Sequence, residues 1–156
     1  MKQKNFKIVL VAPDIPGNTG SIGRTCVALG LELILIKPFG FDLSEKAVRR
    51  AGLDYWKYVQ IKEYNTFDEF IASEKPSNLI FFENDASASY TEAPYQEDCY
   101  LIFGSETKGL STEIYNKYSN QMYFLPQYSE HIRSINLSNA VTAVAYECLR
   151  QCNKLR

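Results

Sequence analysis

The chain has 156 residues, a length that fits one domain with a sizeable buried core. Hydrophobic residues make up 46% of it and charged residues 22%. No apolar run approaches the ~20 residues of a membrane-spanning helix, so the composition favours a soluble protein and excludes a membrane partner. A net charge of −1 excludes RNA binding through bulk charge. Any RNA partner therefore needs a local basic patch.

The cysteines and the single histidine predict no metal site. The four cysteines, at positions 26, 99, 148 and 152, form no CxxC pair, and His131 has no zinc-ligand spacing with them. No signal peptide is visible. We therefore expect a cytoplasmic protein whose cysteines are reduced and mostly buried.

The first third of the chain predicts a βαβ unit. Phe6–Ala12 is apolar and predicts a buried strand, and Pro13–Gly20 predicts a turn-rich loop. A helix is predicted over Thr19–Leu29, with Gly30 as its stop, and Leu31–Ile36 predicts a second strand. Such a unit favours an α/β fold, with a mostly parallel sheet and helices on both faces.

The middle of the chain continues the alternation of helices and strands. Helices are predicted at Leu43–Gly52, Thr66–Ser73 and Ser111–Tyr118. Strands are predicted at Trp56–Ile61, Asn78–Glu83, Cys99–Phe103 and Gln121–Leu125, with an irregular connection at Asp85–Glu97. No repeat or linker divides the pattern, so we expect residues 1–156 to form a single domain.

The last predicted helix follows an unusually polar segment. Apolar residues at 140, 141, 144, 145, 148 and 149 have the spacing of one helix face, and Asn136 or Ser138 is a natural N-cap. Five polar residues precede or open this helix: Arg133, Ser134, Asn136, Ser138 and Asn139. A capped helix accounts for one of them, whereas a pocket at the helix N-terminus accounts for all. Both interpretations stay open on the pattern alone.

Three polar loops each follow a predicted strand: Pro13–Arg24, Gly104–Gly109 and Pro126–Asn139. Ligands of open α/β sheets bind at the carboxyl ends of strands, so these loops should meet at one edge. Taken alone, the Gly104 loop is equally consistent with a tight turn. The sequence contains no P-loop, no GxGxxG and no GxSxG, which excludes the common nucleotide-binding and serine-hydrolase sites.

These loops carry a resemblance to a known family. Asn18-Thr-Gly20 with Arg24, the segment FGSETKGL at 103–110, and IRSINLSNA at 132–140 resemble the three motifs of the SPOUT RNA methyltransferases, in the same order. The segment RRAGLDYW at 49–56 is similar to the short TrmL branch, which methylates the ribose 2′-hydroxyl of the tRNA wobble nucleotide. The similarity extends over residues 6–151.

The resemblance implies a fold and a cofactor that the pattern alone does not. The C-terminal segment would thread a deep trefoil knot, and the protein would be a homodimer acting on tRNA, with each active site near the subunit interface. S-adenosylmethionine would be bound by four residues: Phe82, Gly104, Leu125 and Ser134. Two features depart from the family pattern. Phe82 stands where an aliphatic residue is expected, and the loop at 126–132 is about one residue longer than usual, which affects the alignment that assigns Leu125 to the cofactor.

The resemblance also implies a catalytic group. Arg24 would be the catalytic arginine, with Asn18, Glu106, Ser134 and Asn136 orienting it and the ribose. The phosphates of tRNA would be bound by four basic residues: Arg49, Arg50, Lys108 and Arg133. Without the resemblance, all of these cations are equally consistent with solvated surface charges. Two alternatives remain: a ribosomal RNA ribose methyltransferase and a non-catalytic RNA-binding module of the same fold. Whether the wobble base is C or U also stays open.

Overall fold

The computed structural model describes residues 5–50 and 52–152, apart from the side chains at 45, 48 and 49. These residues form seven strands: β1 (Lys7–Val11), β2 (Glu32–Ile36), β3 (Gln60–Tyr64), β4 (Leu79–Phe82), β5 (Ala88–Ser89), β6 (Tyr100–Phe103) and β7 (Met122–Phe124). They also form five α-helices: α1 (Pro16–Leu29), α2 (Glu45–Arg50), α3 (Phe67–Glu74), α4 (Thr112–Tyr118) and α5 (Leu137–Gln151). None of the described helices is long and apolar enough to cross a membrane.

The seven strands form one sheet in the order β3-β2-β1-β6-β4-β7-β5, and every pairing is parallel. β6 and β4 have no charged residue, and β1 is apolar after Lys7, because both faces of the sheet are covered. On one face, Ile8 and Leu10 of β1 join a buried cluster with Ile22 of α1 and Val144 of α5. On the other face, Val9 joins Phe70 of α3. This confirms the predicted parallel α/β architecture.

The strand order brings the predicted loops together. β1, β6, β4 and β7 are neighbours in the sheet, so their carboxyl ends lie side by side at one edge. The loops after β1, β6 and β7 are the three polar loops predicted from the sequence. A fourth loop, at 83–87, follows β4 and lies at the same edge. This edge of the sheet therefore carries the candidate site.

Three boundaries differ from the sequence prediction. The loop expected at Pro13–Gly20 is wrong beyond Ile15, because α1 begins at Pro16, and proline suits the first helical position. The strand expected from Trp56 is also wrong at its start, since Trp56–Tyr58 is a 3₁₀ turn and β3 begins at Gln60. The connection expected to be irregular at 85–97 contains β5 and a capped 3₁₀ turn, because β5 pairs with β7.

The helix ends follow the local sequence. Gly30 takes a left-handed conformation, with φ of 67°, and ends α1 as predicted. Asn136 is the N-cap of α5, and its side-chain oxygen accepts hydrogen bonds from the backbone N–H groups of Ser138 and Asn139. Cys26, Cys99 and Cys148 are buried in the core as thiols, as expected.

A charged cluster lies beneath α3, on the face of the sheet away from α1 and α5. The Glu74 carboxylate pairs with the ammonium groups of Lys7 at 3.2 Å and Lys62 at 3.3 Å. It also accepts hydrogen bonds from the hydroxyls of Tyr100 and Tyr64. Burial alone would raise the pKa of Glu74, but the hydrogen bonds from Tyr64, Lys7 and Tyr100 outweigh burial and lower the pKa to about 2.

Candidate active site

A cavity of about 490 Å³ opens at the edge where the four loops meet. All four residues predicted to hold the cofactor line it: Phe82, Gly104, Leu125 and Ser134. Its volume lies within the range of small-molecule sites, and its wall combines the apolar side chains of Phe82, Phe103 and Leu125 with polar loop residues. The pocket interpretation of the polar C-terminal segment is thus the one that the structure supports.

Glu106 joins the second loop to the start of α1. Its carboxylate accepts hydrogen bonds from the backbone N–H of Asp14 at 2.9 Å, the backbone N–H of Ile15 at 2.8 Å and the side-chain amide of Asn18 at 3.1 Å. Asp14 and Ile15 directly precede α1 and Asn18 lies in its first turn, so the carboxylate lies at the helix N-terminus, where the helix dipole favours a negative charge. Glu106 therefore fixes the N-terminus of α1 at the cavity.

Asn18 extends this chain of contacts to the third loop. The side-chain amide of Asn136 donates a hydrogen bond to the side-chain oxygen of Asn18, with the two atoms 2.9 Å apart. Since Asn136 is also the N-cap of α5, the bond ties the starts of α1 and α5 together. Glu106, Asn18 and Asn136, predicted from three separate motifs, form one continuous polar chain along the cavity wall.

A second link between the first two loops was missed by the sequence analysis. The Asp14 carboxylate accepts hydrogen bonds from the hydroxyl of Ser105 at 2.6 Å and from the hydroxyl of Thr107. Both hydrogen bonds lower the pKa of Asp14, and the one from Ser105 has the larger effect. Asp14 and Ser105 lie far apart in the chain, so no local pattern signals the pairing.

The Gly104 loop is both a tight turn and a wall of the cavity. Ser105 and Gly109 exchange two backbone hydrogen bonds, of 3.1 and 2.8 Å, and Gly109 has a φ of 67° that favours glycine. Gly104 is needed for a different reason. A Cβ there would lie 2.3 Å from the backbone carbonyl carbon of Gly109 and 2.5 Å from the backbone nitrogen of Leu110.

Glu83 braces the same loop from β4 and was also missed. Its carboxylate accepts a hydrogen bond of 2.6 Å from the backbone N–H of Leu110 and lines the cavity. Burial raises the pKa of Glu83, an effect that the Leu110 hydrogen bond opposes and nearby Asp85 reinforces. Its position directly after a buried strand is the signal that could have found it, since the other three loops were found by that rule.

Arg24 lies outside the cavity wall, exposed on the third turn of α1. Its guanidinium carbon lies 5.6 Å from the centre of the Tyr55 ring. The hydrogen bonds that Glu106, Asn18 and Asn136 make among the described residues join these three to one another and to backbone, not to Arg24. The Tyr55 ring, rather than the polar chain, is the neighbour that the guanidinium faces.

The candidate RNA-binding cations fall into two groups. Lys108 and Arg133 line the rim of the cavity and are exposed. Arg50 is exposed on α2 and is not part of the cavity lining. The side chain of Arg49 lies outside the described part of the chain. No cluster of histidine, cysteine, aspartate and glutamate within residues 5–50 and 52–152 is arranged to hold a metal ion.

The loops that build this cavity carry the three motifs, and the motifs place the chain among known proteins. The SpoU rRNA Methylase family matches residues 5–146. The chain belongs to this family. The match contains all four cavity loops, and it confirms the resemblance to RNA methyltransferases drawn from the motifs.

Relatives of this SpoU methylase match nearly all of its residues. A tRNA (cytidine(34)-2′-O)-methyltransferase of Yersinia pestis is 41% identical over 151 residues, covering 94% of this chain and 93% of the relative. One from Burkholderia cenocepacia is 40% identical over 149 residues, covering 94% and 95%. A structure solved in work on the 2-OH methylation of C/U34 on tRNA has a TM-score of 0.85 at 38% identity, and covers 94% of this chain and 95% of that one.

Proposed function

We propose that this SpoU methylase transfers a methyl group from S-adenosylmethionine to the ribose 2′-hydroxyl of C34 or U34, the wobble nucleotide of tRNA. The observation that carries the proposal is the cavity, where all four expected cofactor residues converge beside the chain Glu106–Asn18–Asn136. Relatives named for this reaction are about 40% identical over 94% of the chain, which supports tRNA as the substrate.

The residues of the cavity fit S-adenosylmethionine. Phe82 and Leu125 supply apolar surface for the adenine, while Gly104 packs against the backbone of Gly109 and Leu110 and so fixes the loop that lines the cavity. Ser134 supplies a hydroxyl from the third loop. When bound, the cofactor supplies an electrophilic methyl group on a sulfonium sulfur. The task of the protein is then to bring the ribose hydroxyl into line with it and to handle the developing charge.

Arg24 carries the second part of that task. A guanidinium has a pKa above ~12 and is a poor general base, so Arg24 does not take the proton of the hydroxyl. It binds the neighbouring phosphate and stabilises the oxyanion that develops on the ribose, and the phosphate or a water molecule accepts the proton. Glu106 and Asn18 hold the start of α1, the helix that carries Arg24, and Asn136 and Ser134 face the ribose from the third loop.

Lys108 and Arg133 bind tRNA phosphates at the rim of the cavity, and we assign the same role to Arg49 and Arg50. Both rim residues belong to loops that also line the cofactor cavity. A chain with a net charge of −1 has to concentrate its cations where RNA lies, and the placement of two of them beside the cavity supports this assignment.

The protein acts as a cytoplasmic homodimer of single-domain subunits, each with a trefoil knot. Exposed apolar side chains flank the cavity at Ile15 and Ile135, and Tyr146 is exposed on α5, which supports a partner surface there. The knot is supported by the path of the C-terminal segment, because β7 lies between β4 and β5 whereas α5 returns to pack against α1.

The proposal is tested with cofactor labelled in its methyl group, offered separately to bulk tRNA and to ribosomal RNA from cells that lack the enzyme. Nucleosides are separated after digestion. We expect label in 2′-O-methylcytidine or 2′-O-methyluridine derivatives of tRNA. Label only in ribosomal RNA selects the first alternative and rejects the tRNA substrate. Label on a base rejects ribose methylation, and bound cofactor without any methyl transfer selects the RNA-binding module.

A further inference from the structure

The segment Leu53–Val59 packs unusually close to α1. A Cβ placed on Gly23 would lie 2.5 Å from the ring of Trp56, and a Cβ on Gly20 would lie 3.0 Å from a methyl group of Leu53. Both glycines are on α1, one turn apart, and their bare surface lets the segment approach the helix backbone. Trp56 is buried by this contact. The segment is therefore fixed against the helix that carries Arg24.

Tyr55 spans one turn of α1 within this contact. Its hydroxyl donates a hydrogen bond of 2.9 Å to the backbone carbonyl of Gly20, and its ring centre lies 5.6 Å from the Arg24 guanidinium carbon. Gly20 and Arg24 are four residues apart, so they share one helix face. Burial raises the pKa of Tyr55, although Arg24 opposes this, and the hydroxyl remains a neutral donor at neutral pH. The phenol is thus anchored at one end and offers its ring to the guanidinium.

We propose that Tyr55 is a positioning residue that holds the guanidinium of Arg24 for the reaction. The inference rests on the proposed function, in which Arg24 stabilises the charge that develops on the ribose. An exposed arginine samples many rotamers, and a catalytic geometry selects few of them. The face of an aromatic ring attracts a guanidinium and restricts it without consuming its N–H donors, which stay available for phosphate and ribose oxygens.

The ring and the hydroxyl of Tyr55 have separable roles, and two variants distinguish them. Tyr55→Phe keeps the ring and removes the hydrogen bond to Gly20, so kcat should stay within about threefold of wild type. Tyr55→Leu removes the ring, and kcat at saturating cofactor and tRNA should fall on the order of tenfold, the effect of losing one cation–π contact. The dissociation constant for S-adenosylmethionine should not change, because Tyr55 does not line the cavity.

Tyr58→Leu is the matched control. Tyr58 lies in the same 3₁₀ turn region, is 65% exposed, and has Lys57 rather than Arg24 over its ring. This variant should keep the wild-type kcat. A Tyr55→Leu variant with wild-type kcat would overturn the inference, and so would one in which only the KM for tRNA rises, since the ring would then contact RNA directly.

Arg24→Ala separates this inference from the proposed function. If Arg24→Ala is inactive and Tyr55→Leu is fully active, the positioning role fails while the proposed function stands. If Arg24→Ala is itself active, the role proposed for Arg24 fails and the positioning role fails with it. Proton NMR of the wild-type protein tests the geometry without a variant that has to fold. The Tyr55 ring should shift the Arg24 side-chain protons upfield, and unshifted protons would refute the contact.

Discussion

Replacing Gly104 by alanine places a methyl group where the backbone of the same loop already lies. The new Cβ would be 2.3 Å from the carbonyl carbon of Gly109, and ordinary van der Waals contact begins at 3.4 Å. The backbone at 109–110 therefore has to move by roughly an ångström, because no flexible side chain is there to yield. Glu83 resists the movement, since its carboxylate accepts the Leu110 N–H at 2.6 Å.

The displacement should weaken cofactor binding and destabilise the fold by comparable free energies. Overpacking of this kind costs about 1–3 kcal/mol, which lowers the Tm of a domain of this size by about 2–12 °C. A loop moved by about 1 Å places its backbone groups out of register with a ligand, and we expect the dissociation constant of S-adenosylmethionine to rise by about 10- to 100-fold. Calorimetric titration and thermal unfolding measure the two effects separately.

Gly17→Ala is the control for Gly104→Ala. Gly17 is exposed in the first turn of α1, and no atom beyond its neighbours in the helix lies within 4 Å of a Cβ built on it. This variant should bind the cofactor as the wild type does, with an unchanged or slightly higher Tm. A Gly104→Ala protein with wild-type affinity and wild-type Tm would refute the assignment of this loop as a rigid wall of the cofactor site.

Three further predictions concern charge and hydrogen bonding. Folding lowers the pKa of Glu74 from 4.5 to about 2, so its contribution to stability is complete above pH ~4.5 and is lost as the pH falls towards 2. Acid unfolding should show this loss, and Glu74→Gln should abolish this part of the pH dependence. Asn136→Asp keeps the cap of α5 but removes the donor to Asn18, so single-turnover rates should fall about tenfold and the Tm by about 2–4 °C; an unchanged rate would count against the polar chain. Replacing Lys108 and Arg133 together by alanine should reduce the salt dependence of log Kd for tRNA by about two counterions, and an unchanged slope in a salt titration would remove them from the RNA interface.

The sheet was predictable because its signals are local. Continuous apolar runs such as Ile8–Leu10 and Leu33–Ile36 identify strands buried on both faces, and the intervening helix makes them parallel. The start of α1 was not predictable to the same degree. Three glycines in its sequence, at 17, 20 and 23, lower helix propensity, and the reason for two of them is the close approach of Leu53 and Trp56 from another part of the chain.

The residues of the candidate site were also predictable only in part. Asn18, Glu106 and Asn136 were predicted from motifs, and the structure brings them into contact. Glu83 and Asp14 belong to none of the three motifs and were missed; Glu83 binds a residue 27 positions away and Asp14 binds one 91 positions away. Pairings over such separations leave no periodicity in the sequence. Only the structure shows them, as only the structure shows that the guanidinium of Arg24 lies over the Tyr55 ring.

The central claim is methyl transfer to one ribose hydroxyl, and it is tested most directly by a pair of tRNAs that differ at a single atom. One carries the natural ribose at position 34 and the other a 2′-deoxyribose there, and both are offered with labelled S-adenosylmethionine. We predict stoichiometric labelling of the first tRNA and none of the second. Equal labelling of both tRNAs would contradict the proposed reaction at position 34.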